Sequence, residues 1–100
     1  MGTLYDTSNN KLGSIGEDGI VYNALDDRIG NVVSDGTVYD QQENKAGKIE
    51  SDGEVYNAME NRAGRVIANG DVYDVANNRV GKVVGNHIEF GGAALLLLIR

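Results

Sequence analysis

The residues of this chain that are able to do chemistry are few in kind and repeated in position. His87 is the single histidine among 100 residues, and there is no cysteine. A lone imidazole with no second His or Cys makes neither a metal site nor a nucleophile relay, so His87 reads as a turn residue at the end of an array. Carboxylates are plentiful but recur at equivalent positions, whereas an acid/base pair needs two carboxyls set apart by their surroundings. Loops such as Asn23-Asp26-Asp27 and Asp40-Glu43-Asn44 collect three oxygen side chains and are followed at once by Arg or Lys. Ca²⁺ takes roughly 6–8 oxygens and is repelled by such a base, so Ca²⁺ binding is not expected. The sequence contains no phosphate-binding glycine loop, no dinucleotide fingerprint and no nucleophile elbow. The expectation is a non-enzyme with no catalytic residue, no metal site and no cofactor.

One other chemistry stays open. Tyr5, Tyr22, Tyr39, Tyr56 and Tyr73 stand seventeen residues apart, and Phe90 falls at the next step. Aromatic rings on a sheet can stack on a sugar or another small molecule, either individually or in a pocket at a symmetry axis. Alternatively, the rings pack as core residues over the glycines Gly13, Gly30, Gly47, Gly64 and Gly81.

The tyrosine spacing is that of a gapless repeat: 2–18, 19–35, 36–52, 53–69 and 70–86, with a partial sixth copy over 87–90. Each unit holds two short segments rich in β-branched and aromatic residues, such as Thr37 to Asp40 and Val80 to Val84, and these read as strands. Asp18-Gly19, Asp35-Gly36, Asp52-Gly53 and Asn69-Gly70 separate one unit from the next, and such pairs signal two-residue hairpins with positive φ at both residues. The other link is four residues long, such as Ala58 to Asn61, and ends in Asn or Asp, which suits a left-handed position. Asp or Asn before it (Asp6, Asn23, Asp40, Asn57, Asp74) and Lys or Arg after it (Lys11, Arg28, Lys45, Arg62, Arg79) are placed to pair across the hairpin. Glycine inside the second strand marks a bulge or the close approach of another group. The fold class is therefore all-β: five two-stranded repeats in a rolled or closed antiparallel meander with pseudo-rotational symmetry, with a β-solenoid as the alternative.

The pattern GxVYDxxxNxxGxVxxDG, met in Gly36 to Gly53 with Ile49 at its last apolar position, resembles the short bacterial repeats of the four-fold beta flower family. That resemblance covers residues 2 to 90. It implies hairpins arranged like petals about an axis, in a family of unknown function. The chain departs from the pattern in carrying five full copies rather than four, which bears directly on how the ring would close. YD-type repeats, with longer units, are a looser second likeness.

Repeats two and four differ from the others in placing Leu25 and Met59 in the loop after the tyrosine. These side chains either fold back to cap the core or form an exposed contact patch. After Phe90 the composition changes to GGAALLLLIR, apolar on every side. About ten residues cannot span a bilayer, which needs ~20. In a complete chain a transmembrane helix is excluded; in a fragment the run could begin one. Residues 93–100 are expected to lie at the centre of the sheet as a strand or short helix, pairing with the first strand near Leu4 and Tyr5. Otherwise Leu95, Leu96, Leu97 and Leu98 meet a second copy, a protein partner or a membrane, with Gly91-Gly92 as a hinge. The repeat domain is placed at 1–92.

The formal charge of −6 argues against nucleic acid as a partner. The start of the chain shows no secretory leader, which favours the cytoplasm. Taken together, the residues point to a structural or protein-interaction repeat module, with ligand binding through the tyrosines or an axial pocket as the alternative.

Overall fold

The computed structural model describes residues 1–99. Ten strands follow one another: β1 (Gly2–Tyr5), β2 (Lys11–Ile15), β3 (Ile20–Asn23), β4 (Arg28–Val32), β5 (Thr37–Asp40), β6 (Lys45–Ile49), β7 (Glu54–Asn57), β8 (Arg62–Val66), β9 (Asp71–Asp74) and β10 (Arg79–Gly85). Each pairs antiparallel with its sequence neighbours, and β1 pairs antiparallel with β10, so the meander closes into a barrel. The antiparallel pairing throughout excludes the solenoid. Closure uses the register that joins every repeat to the next. Tyr5↔Lys82 and Leu4↔Val83 reproduce Tyr22↔Ser14 and Val21↔Ile15. The first strand thus occupies the seat that a sixth repeat would fill, and this explains why the sixth copy stops after Phe90. The extents of 30 × 29 × 19 Å, two of them nearly equal, are those of a squat disc about a five-fold pseudo-axis.

Neither link has the form that the sequence signals imply: the Asp-Gly link is one residue longer, and the link after each tyrosine closes one residue sooner. Gly19 N–H donates to the Gly16 carbonyl (3.0 Å) and Gly16 N–H to the Ile20 carbonyl (2.9 Å), which leaves a three-residue loop in which only Gly19 has positive φ, at 86°. This is a turn followed by a left-handed residue rather than a two-residue hairpin. The glycine is doubly required there, because a Cβ would also strike the Val32 carbonyl. The link after each tyrosine has the same form: Asp6 N–H donates to Asn10 O (2.9 Å) and Asn9 N–H to Asp6 O (3.1 Å). Its left-handed residue is the third, not the fourth: Asn9, Asp26, Glu43, Glu60 and Asn77, all with φ of 67–68°.

The expected bulge is present in every repeat. Between Leu4↔Gly13 and Tyr5↔Lys11 the register slips past Leu12, and the same slip passes Ile29, Ala46, Ala63 and Val80. These extra residues pack against the core. Inside the barrel lie two further columns: Leu4, Val21, Val38, Val55 and Val72, and Ile15, Val32, Ile49, Val66 and Val83. The tyrosines, one residue beyond the first column, face outward and are half-buried. They do not cover the glycines. Each glycine faces the interior and approaches the backbone carbonyl of the next repeat's tyrosine.

An eight-stranded barrel is just filled by its own side chains, so ten strands lined by valine and glycine leave a bore. The chain after β10 fills it. The helix α1 (Ile88–Ala94) continues as a π-helical turn over Leu95–Ile99. In α1, Gly91 faces Val83 and Leu4, where a Cβ would lie 2.9 and 3.0 Å from their side chains, and at Gly92 it would collide with Val66. Gly91-Gly92 is therefore the closest packing point of a helix and not a hinge. One layer further along the axis the sizes invert. Leu95, Leu96, Leu97 and Leu98 place a Cδ1 2.9, 3.0, 2.8 and 2.8 Å from the Cβ positions of Gly81, Gly64, Gly47 and Gly30. Each successive leucine thus addresses the preceding repeat. One residue per repeat about a five-fold axis demands about 72° of turn, whereas an α-helix turns about 100° per residue. The wider π-helical turn moves toward that value. The segment is therefore buried as a helix and does not pair with β1, whose two edges are taken by β2 and β10.

Replacing Gly81 by Ala is expected to cost about 1–3 kcal/mol, and Leu95→Ala about 2–5 kcal/mol, in urea unfolding. Because the nearest obstacle to a Cβ at Gly81 is the Tyr5 carbonyl and not the leucine, the double variant should not recover stability. Recovery in the double variant would show that the wall and the plug fit in some other way. Glu43→Asn and Glu60→Asn should each raise stability by about 0.5–1 kcal/mol, since Asn tolerates the left-handed backbone better than Glu. An unchanged urea midpoint would refute that attribution.

Candidate functional site

The barrel has two unlike ends. At the glycine-turn end sit the Gly19, Gly36, Gly53 and Gly70 turns, and α1 enters there beneath His87 and Phe90. His87 is exposed, holds φ 56° where earlier copies have the turn glycine, and stacks on Phe90 with ring centroids 6.3 Å apart. This end gathers Glu17, Asp18, Asp35, Glu50, Asp52 and Glu89. The cations that meet them are Lys48, 3.2 Å from Glu50, and the N-terminal ammonium, 3.1 Å from Glu17.

The opposite end carries the loops that follow the tyrosines, each organised by its opening Asp or Asn. Asp6 Oδ1 accepts from the N–H groups of Ser8 (2.8 Å) and Asn10 (2.9 Å), and Asn23, Asp40, Asn57 and Asp74 do the same in their loops. These side chains therefore cap their own loops and are not clasped to the following base. Among the described residues the bases find other partners: Arg62 pairs with Glu54, Arg79 with Asp71 at 3.1 Å, and Arg28 donates to Asn31 Oδ1 at 3.4 Å. Half-exposed pairs of this kind contribute little.

With the loops so fixed, the first and second residues after the capping Asp or Asn point away from the protein. Leu25 and Met59 are 82% and 80% exposed, so they do not fold back onto the core, and Val75 of repeat five is 57% exposed. Sequence reading passed over Val75 because it sits one position earlier in its loop than Leu25 and Met59. The three side chains belong to repeats two, four and five and so surround the mouth of the bore rather than crowding one side. At that mouth Leu97, Leu98 and Ile99 are only partly covered, whereas Leu95 and Leu96 are enclosed and offer no surface.

The tyrosines form a belt around the outside of the wall. Arg65 lies over the Tyr73 ring at 5.1 Å and Lys82 over Tyr5 at 5.7 Å, so in two repeats a cation already faces the ring. The belt faces radially outward, one tyrosine to a repeat, and gathers no two rings about a common site. Among the described residues the bore itself is filled by α1 and the leucines, and the cavity beside it, about 480 Å³ between Ala68, Gly85 and the His87–Phe90 segment, lies at the glycine-turn mouth and not within the ring. Among the described residues no group of three His, Cys, Asp or Glu is arranged to hold a metal ion, and no helix is long and apolar enough to cross a membrane.

A five-fold ring with a helical plug raises the question of family, and the family model that matches, over residues 1–91, is described as "5-fold beta-flower protein". The chain belongs to that family. The beta-flower likeness of the repeat is thus correct, with five petals instead of four, and the extra copy is what closes the ring. No curated protein and no solved structure matches the chain.

The Asp6 loop cap carries a pH dependence. The N–H groups of Asn10 and Ser8 hold the Asp6 carboxyl below the usual carboxylate range. A depressed folded value adds stability that is complete above the unfolded value and fades as pH falls through the folded one. Asn23 and Asn57 cap equivalent loops without titrating. Asp6→Asn should therefore leave the melting temperature unchanged at pH 7 and reduce its fall between pH 5 and about 2. A variant that melts lower at pH 7 would show that the charge, and not the oxygen acceptor, holds the loop.

Proposed function

We propose that this beta-flower protein is a non-catalytic structural module that works by contact, and that its contact surface is the Asx-loop end of the barrel. The observation that carries this reading is the apolar ring of Leu25, Met59 and Val75 around the half-covered Leu97, Leu98 and Ile99. Scattered apolar side chains on a surface are ordinary, but these surround an incompletely covered core, which is how an interface centre is composed. Repetition supports the non-catalytic part, because the carboxylates recur in equivalent loops instead of forming one asymmetric pair. Cations over Tyr5 and Tyr73 and a filled axis weigh against the ligand-binding alternative.

The test is binding of a neutral polarity-sensitive dye, Nile red, at the lowest protein concentration that gives a signal. The native protein should take up the dye, and Leu25→Ser/Met59→Ser/Val75→Ser should lose at least half of the enhancement at an unchanged melting temperature. Equal dye uptake by the native protein and the triple variant would remove the Asx-loop end as the contact surface.

A further inference from the structure

The geometry points to a second copy of this chain as the occupant of the Asx-loop end, so that two discs stack face to face with their glycine-turn ends outward. This rests on the reading of that end as a contact surface and commits it to one partner. Three observations carry it. First, charge is divided unequally between the ends. The glycine-turn end holds Glu17, Asp18, Asp35, Glu50, Asp52 and Glu89, met among the described residues by Lys48 and the N-terminal ammonium, while Arg65 and Lys82, at the register of Lys48, stand opposite Glu54 and Asp71. The Asx-loop end interleaves Asp6, Asp26, Asp27, Asp40, Glu43, Glu60 and Asp74 with Lys11, Arg28, Lys45, Arg62 and Arg79, one base to each repeat, of which Arg28, Arg62 and Arg79 already have partners within the chain. Two glycine-turn ends repel each other, whereas two Asx-loop ends present mixed charge that can pair across the contact.

Second, the apolar material lies on the same end, at the rim in Leu25, Met59 and Val75 and at the centre in Leu97, Leu98 and Ile99. A face-to-face contact places apolar rim and centre of both copies together. A head-to-tail contact would press them against the acidic turns of the next copy and leave one apolar face open at the end of a growing chain. Third, the area suffices. A disc face about 30 Å across offers roughly 700 Å² to a partner, close to the ~800 Å² a side of a standard stable interface. A face-to-face pair uses the same surface twice and therefore closes at two.

The experiment is sedimentation equilibrium of the full chain from about 1 to 500 μM, beside two double variants and with a parallel flotation assay on phosphatidylcholine vesicles. The expected result is a mass rising from 10.7 kDa to twice that value and no further. Leu25→Asp/Met59→Asp should weaken the association by about 100-fold at unchanged circular dichroism and melting temperature. Ser34→Asp/Ala68→Asp, at the glycine-turn end, should leave it intact. A monomer at every concentration overturns the proposal, as does a dimer indifferent to Leu25→Asp/Met59→Asp. A mass that continues to grow beyond two means head-to-tail stacking and also overturns it. Vesicle binding by a monomer, lost in Leu25→Asp/Met59→Asp, assigns the surface to a membrane instead. Dye uptake at the Asx-loop end without dimerisation refutes the second copy and keeps the contact surface, whereas loss of both refutes the two together.

Discussion

The structure depends on a reciprocal fit of sizes along one axis. Where the wall is built of Ile15, Val32, Ile49, Val66 and Val83, the plug is Gly91, Gly92, Ala93 and Ala94; where the wall is glycine, the plug is leucine. Interiors pack to the density of organic crystals, so neither layer has room for the other's residues. Two glycines in the middle of a helix cost about 1 kcal/mol each in propensity. They are tolerated because a Cβ at either would meet the valine layer. The same fit sets the length of the bore that a ten-stranded ring of four- and five-residue strands can enclose.

From that fit follows the conformation of the plug. A helix inside a five-fold ring must offer a comparable contact to each repeat, and four successive leucines do so only if the backbone turns less per residue than an α-helix does. The π-helical turn over Leu95–Ile99 is thus a matching of two symmetries, one belonging to the wall and one to the main chain. The bulge in every repeat belongs to the same scheme. It adds an inward apolar residue, from Leu12 to Val80, beside each glycine.

The plug also makes the two ends of the disc different, although the repeats alone would make them merely distinct. At the end where it enters, His87 and Phe90 cover the mouth among carboxylates. At the other end Leu97 to Ile99 are part-covered, among loops bearing Leu25, Met59 and Val75. A near-symmetric ring thereby acquires one acid-rich face and one face with exposed apolar side chains.

Much of this was legible in the residues. The seventeen-residue period, the strands, the reversals at Asp-Gly, the bulge at the inner glycine and a rolled or closed antiparallel meander all follow from local rules that act within one repeat and are then copied. The lack of any polar face in the leucine run left burial, self-association and docking as its readings, and the structure buries Leu95 and Leu96 and covers Leu97 and Leu98 in part. What local rules left undetermined was everything that depends on the number of copies and on the bore. The left-handed residue of the loop fell one position earlier than expected because the Asp or Asn side chain, bonding two N–H groups, closes the loop on the third residue. The tyrosines turned outward because strand alternation, fixed by the valines beneath, allowed them no other face. Leu25 and Met59 stayed exposed because capped loops cannot fold back. The sequence by itself determined a ring of five hairpins with an apolar tail, since those features are set by residues close together in the chain. Only the tertiary structure decided that the tail is a helix threaded through the ring, one leucine to each of four glycines, because that match exists only once the first strand and the tenth have met.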